Sequence, residues 1–234
     1  MPLVGRNRPP ADPEGASGET VATVRPVSRA EAIKHGYTTG ARGLASRSVT
    51  GLTRTRITPN ALTASGVTLC AIASVLVLFE GRNEILFYWL GAVVFVLGSL
   101  LDILDGALAR AGGKTTPFGA FLDSTTDRVS EGFMLTAIAW LLARHHEAAF
   151  VAVAMAAVAG SFLVSYTRAK AEVIGLRGDV GIGSRAERVV VITAGLVFAP
   201  WGVLPWALVV LACTAWITVG QRVLHVRKQL MERN

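Results

Sequence analysis

Charge is scarce in this chain: Asp, Glu, Lys and Arg make up 17% of its 234 residues, against about 25% in an ordinary soluble domain. Hydrophobic residues account for 52% and mean hydropathy is +0.49. That balance excludes a simple soluble globule and points to one membrane domain with tails. Cysteine is almost missing, with only Cys70 and Cys213, both in apolar stretches and without metal-ligand spacing. They argue against a disulfide framework or a cysteine metal site and read as small buried hydrophobes. Proline is absent from the interior of the long apolar runs, so nothing there forces a helix break. Residues 1–36 lack both the apolar core of a secretory signal and any hydrophobic period, and are expected to form a disordered tail. Residues 37–57 lack acid altogether but carry Arg42, Arg47, Arg54 and Arg56 beside Leu44, Val49, Leu52 and Ile57. They are expected to form a basic helix lying in the membrane interface, or else a solvated basic linker.

What is present is a series of apolar runs with the period and length of helices. Expected spans cover 60–79, 85 to beyond 101, 116–143, 148–174, 185 to just before Pro200, and 203–224. Thr58 is placed to cap the first and Pro59 to open it. The fold expected is therefore all-α and integral to the membrane, with six transmembrane helices (58–226), an interfacial helix before them and a short tail, 227–234, after them. The net charge of +7 does not suggest nucleic acid, because the basic residues flank apolar spans, as beside anionic headgroups. Nearly all Arg and Lys fall in the tails and in the loops at 110–116 and 175–188. By the positive-inside rule both termini then face the cytoplasm. His145 and His146, to which no acid or cysteine partner is assigned, read as a solvated turn on the opposite side.

Four aspartates interrupt this pattern, at Asp102, Asp105, Asp123 and Asp127. The first pair is spaced i, i+3 and the second i, i+4, so on helices each pair shares a face. The two faces meet if the second and third helices pack antiparallel across the turn at 111–116. Asp102 comes about 25 Å along its helix, which in a hydrocarbon core of about 30 Å places the acids near one membrane face. A carboxylate in a bilayer costs at least about 2.5–3.5 kcal/mol, and four would repel one another. A bound Mg²⁺ or Mn²⁺ resolves both problems; pairing with Arg110 and Arg128 would resolve half of them. Gly106 and Gly119 remove side chains where helices pass closely or where a phosphate approaches the backbone.

The pattern D-x2-D-G-x2-A-R-x8-G-x3-D-x3-D is met in full by Asp102, Asp105, Gly106, Ala109, Arg110, Gly119, Asp123 and Asp127. It resembles the motif of the CDP-alcohol phosphatidyltransferases, a family of integral membrane enzymes. The resemblance implies transfer of a phosphatidyl group from CDP-diacylglycerol, or a related CDP-lipid, to an alcohol, with release of CMP. It further implies Asp102, Asp105 and Asp123 as metal ligands and Asp127 as ligand or general base. Gly106, Ala109 and Arg110 would line the nucleotide pocket together with Gly119. Pro59, Asn60 and Thr63, which resemble the family's first-helix entry, would border it. A homodimer is expected on the same ground.

A second constellation bears on the acceptor. Arg168 and Lys170 end the fourth helix, Arg177 sits in the loop, and Arg185 and Arg188 open the fifth. Arg177 reads as ordinary positive-inside charge. The other four stand at helix ends beside the aspartates, and arginine forks suit phosphate oxygens, so an acceptor that itself bears a phosphate explains them better than a neutral alcohol. The stretches 165–172 and 185–188 also resemble the subgroup that uses inositol 1-phosphate, with the Lys and Arg of that pattern exchanged at Arg168 and Lys170. Glycerol 3-phosphate is the alternative acceptor. A cation channel or transporter would place acids at the midplane, break helices and show two related halves, none of which is present here.

Overall fold

The computed structural model describes residues 59–111 and 116–233, all within one compact unit, Gly43–Asn234. The expected tail 1–36, the interfacial helix 37–57 and the Thr58 cap lie outside the described residues. So do the turn at 112–115 and the side chains of Pro59, Ala109 and Arg110. Among the described residues there are six α-helices and no strand: α1 (Pro59–Val77), α2 (Glu84–Ala111), α3 (Pro117–Arg144), α4 (Ala148–Val173), α5 (Arg185–Val197) and α6 (Leu204–Met231), with a 3-10 turn at Ala199–Trp201.

Local chemistry sets several of the starts. Asn83 accepts a hydrogen bond from the Leu86 N–H at 3.1 Å, capping α2. Thr116 accepts from the Gly119 N–H at 3.0 Å, and Pro117 takes the first helical position of α3, where its missing N–H costs nothing. Glu187 accepts from the Ser184 N–H at 2.6 Å, one half of a capping box that starts α5. The sixth helix runs past the expected end at 224 to Met231. Its last turns are tied down by Gln229, which accepts from the Arg177 N–H at 3.0 Å and donates to the Arg177 carbonyl at 2.8 Å.

The helices form a closed ring in which spatial neighbours run α2, α1, α3, α4, α6, α5 and back to α2. The expected direct packing of α2 against α3 is therefore only marginal, because α1 packs against both and takes most of the surface between them. Glycines make the tightest crossing. A Cβ on Gly66 would meet the Gly98 carbonyl oxygen at 2.9 Å, and one on Gly98 would meet the Gly66 carbonyl oxygen at 2.8 Å. The backbones of α1 and α2 thus touch where no side chain intervenes.

Polarity divides the ring end from end. Cys70, Val77, Phe95, Met134, Leu135, Ile138, Leu196 and Leu208 form a dry apolar core at one end. Asp102, Asp105, Glu131, Arg188 and Arg222 are buried toward the other. Outside, Trp89, Trp140, Trp206, Phe118, Phe121 and Val190 are exposed, which is costly in water and natural against lipid. α1, α2, α4 and α6 are each long and apolar enough to cross a membrane. α3 matches α2 in length at 28 residues but is interrupted by Asp123, Asp127, Arg128 and Glu131. α5 has 13 residues, about 20 Å of helix.

Two expectations need correction. Cys70 is buried as expected, but Cys213 is exposed on the outer face of α6. His145 does have an acid partner in space: its Nε2 lies 3.2 Å from Oε1 of the buried Glu80, which arrives from the turn after α1. Sequence distance had hidden the pair.

Candidate active site

Asp102 and Asp105 lie near the end of α2, each 3% exposed, and Asp123 and Asp127 lie in the first turns of α3. Asp102, Asp123 and Asp127 each offer an oxygen to one point, and the three oxygens lie within 4.8 Å of one another. Oδ1 of Asp102 has no hydrogen-bond donor, and Oδ2 of Asp102 and Oδ1 of Asp127 meet only the Arg185 guanidinium, as ion pairs without hydrogen-bond geometry. Buried carboxylate oxygens without donors are unfavourable, and three converging hard oxygens are the donor set Mg²⁺ and Mn²⁺ prefer. The residues present therefore fit a divalent cation. Asp105 stands outside this trio. Its Oδ2 accepts a hydrogen bond from the Thr63 hydroxyl of α1, its Oδ1 accepts none, and it lies within electrostatic reach of Asp102 and Asp123.

Among the described residues, Arg185 is a cation set among the aspartates. Its Nη1 pairs with Oδ2 of Asp102 and stands 2.6 Å from Oδ1 of Asp127. Arg128, one of the two neutralising cations considered from sequence, instead donates to the Ser124 carbonyl of its own helix. Asp127 and Arg185 each keep about a quarter of the side chain exposed, and Asp123 is likewise partly exposed, whereas Asp102 is buried.

The other basic residues separate into different environments. Arg168 is exposed and pairs with Glu172 at 2.9 Å, one turn on in the same helix, and Lys170 is exposed near it. Arg188, expected at an acceptor phosphate, is 4% exposed and held by three hydrogen bonds. Its Nε and Nη2 each donate to a Glu131 oxygen at 2.8 Å, and its Nη1 donates to the Gly183 carbonyl at 2.9 Å. On the nucleotide side, Asn60 is exposed, Thr63 is spent on Asp105, and Gly106 is half-buried. Among the described residues, a Cβ on Gly119 would meet the Thr116 hydroxyl, at 3.1 Å, which ties this glycine to the cap of α3.

Three further residues shape this end of the ring. Glu131 is the buried partner of Arg188. Thr218 accepts from the Gly183 N–H at 2.9 Å while donating to the Thr214 carbonyl at 2.7 Å. Arg222, 7% exposed on α6, donates to the Val164 carbonyl and, at 2.9 Å, to the Val180 carbonyl. Arg222 and Thr218 together hold the 175–184 loop against α6, and Gly181, at φ +117°, makes the turn under Thr218 where any Cβ would collide with its methyl group. An acid or arginine inside an otherwise apolar run was the available sequence signal for Glu131 and Arg222; for Thr218 there was none.

Comparison with known proteins places this geometry. The model of the CDP-alcohol phosphatidyltransferase family matches residues 56–219. A phosphatidylinositol phosphate synthase of Mycolicibacterium smegmatis is 40% identical over 181 residues, covering 74% of this chain and 79% of that protein. The crystal structure of the Mycobacterium tuberculosis phosphatidylinositol phosphate synthase with CDP-DAG bound superposes with a TM-score of 0.69 at 31% identity. That superposition covers 78% of this chain and 92% of the other. The same enzyme in complex with manganese and citrate gives 0.68 at 34% identity, over 78% and 88% of the two chains. With the family model spanning both aspartate helices and the arginine of α5, the chain belongs to the CDP-alcohol phosphatidyltransferase family of membrane enzymes.

Proposed function

We propose that this enzyme transfers a phosphatidyl group from CDP-diacylglycerol, or a closely related CDP-lipid, to inositol 1-phosphate and releases CMP. The observation that carries the acceptor assignment is Arg185: a guanidinium fork held at the carboxylate trio from the open end, where an acceptor bearing its own phosphate finds a partner. Arg168 and Lys170 line the approach. The likeness to phosphatidylinositol phosphate synthases supports the same choice. Asp102, Asp123 and Asp127 would hold Mg²⁺ or Mn²⁺, with Asp105 near them; such an ion offsets the charge of the pyrophosphate and makes CMP a better leaving group. Asp127 takes the proton of the attacking hydroxyl. The hydroxyl oxygen bonds to the phosphatidyl phosphorus, the bond from that phosphorus to the CMP oxygen breaks, and CMP departs with the electron pair. Thr63 fixes the orientation of Asp105. Pro59, Asn60, Gly106, Ala109, Arg110 and Gly119 are assigned to the border of the nucleotide. The proposal includes six membrane crossings, both termini and the site on the cytoplasmic side, and a homodimer.

The deciding experiment is CMP release by the protein in lipid nanodiscs with CDP-diacylglycerol and Mg²⁺ or Mn²⁺. Inositol 1-phosphate, glycerol 3-phosphate, free inositol and serine are added separately. Release only with inositol 1-phosphate is expected. Release with glycerol 3-phosphate instead would reassign the acceptor while keeping the mechanism, and release with serine or free inositol would remove the phosphate-binding role of Arg185.

A further inference from the structure

Arg185 and Arg188 share the first turn of α5 and one helix face. Asp127 and Glu131 share a face of α3 in the same way. The four side chains form two rungs, Asp127 to Arg185 and Glu131 to Arg188, in matching order along the two helices. α3 and α5 are not neighbours in the ring, and although residues of both enter the apolar core at the far end, the two rungs are what join them at the polar end. The outer rung is partly exposed; the inner one is buried at both ends, Glu131 being 6% exposed. The inner rung is also bidentate, and every nitrogen of the Arg188 guanidinium donates to Glu131 or Gly183. Three of its five N–H donors are thereby committed, so a ligand at Arg188 would have to share a guanidinium already buried against Glu131.

We propose that Glu131 and Arg188 are positioning residues: their buried pair fixes the first turn of α5 across the ring from α3 and delivers Arg185 to Asp102 and Asp127, where Arg185 receives the acceptor's phosphate. This inference rests on the transferase reading above for the identity of the ligand. The chemistry is apt, because a bidentate arginine–carboxylate pair fixes angle as well as distance. The Gly183 carbonyl, itself placed by Thr218, extends the hold from α5 to α6. The inner rung sets the geometry and the outer rung meets the ligand.

The test is calorimetric titration of inositol 1-phosphate, and separately of inorganic phosphate, into the full chain in nanodiscs at fixed Mn²⁺, alongside CMP release. Arg185→Gln should weaken phosphate binding by about ten- to a hundredfold. Glu131→Gln should weaken it as well. Were Arg188 itself the phosphate ligand, easing its bond to Glu131 would leave binding unchanged or tighten it, and that result would overturn the proposal. Arg188→Met leaves a buried carboxylate alone and risks unfolding, so the decisive variant is the double Glu131→Met, Arg188→Met, in which both charges leave together. It should bind phosphate no better than Arg185→Gln, and adding Arg185→Gln to it should cost little more. Wild-type phosphate binding in the folded double variant would make the pair merely structural and end the inference. Absence of CMP release from the wild type with every phosphorylated alcohol, beside intact phosphate binding that follows this pattern, would remove the transferase reading and leave the positioning roles standing.

Discussion

Asp127 combines three properties that its fellow aspartates do not share together. It belongs to the converging trio, it contacts Arg185 at 2.6 Å, and it keeps about a quarter of its side chain open. An acceptor hydroxyl can reach it, whereas Asp102 is closed off. Asp127→Asn keeps the shape but removes the base, so transfer should fall by roughly 10²–10⁴-fold while CDP-diacylglycerol binding persists. Turnover near the wild-type rate would remove Asp127 as base. Asp123→Asn should weaken Mn²⁺ binding measured by electron paramagnetic resonance, since it deletes one of three charged oxygens at one point; unchanged affinity would take Asp123 out of the metal set. The i, i+3 and i, i+4 spacing made all four aspartates legible, because a helix converts short sequence intervals into shared faces. Arg185 among them was only half legible. Its place near the site followed from loop order, but its contact with Asp102 and Asp127 depends on which helices neighbour each other in the ring, and hydrophobic periodicity does not encode that.

At the level of the helix, α1 links the site to the scaffold. It lies against both α2 and α3, meets α2 backbone to backbone at Gly66 and Gly98, and sends Thr63 to Asp105. Gly98→Ala would drive a Cβ to 2.8 Å from the Gly66 carbonyl oxygen and 2.7 Å from Cys70 Sγ. A backbone oxygen cannot step aside, so a loss of about 1–3 kcal/mol is expected, seen as an earlier thermal transition in detergent. Gly119→Ala meets, among the described residues, a hydroxyl that can rotate away, and should leave that transition nearly in place; equal losses at both positions would deny the crossing its special role. Sequence singled out Gly106 and Gly119 for close approach because they sit in the aspartate motif. The crossing glycines lie in unremarkable apolar runs, where Gly reads as ordinary membrane composition. The extension of α6 to Met231 escaped notice for a related reason: polar residues at a helix end look like a tail until a partner such as the Arg177 backbone is in view.

For the molecule as a whole, the expected orientation is open to direct measurement. With Cys213 replaced by Ser, a cysteine at Lys228 should react with an impermeant maleimide only from the cytoplasmic side, and one at Arg144 only from the other. Labelling of both from one face would reject the proposed crossings of α4 to α6. The ring also separates two tasks along its length. One end is an apolar core that holds all six helices, and the other is a polar end where α3 and α5 are joined by ion pairs. Buried ion pairs add little net stability compared with apolar packing. Substitutions at the reactive end therefore draw on a reserve of stability lodged elsewhere, which leaves such a bundle free to exchange one acceptor for another over evolutionary time without first becoming a different fold.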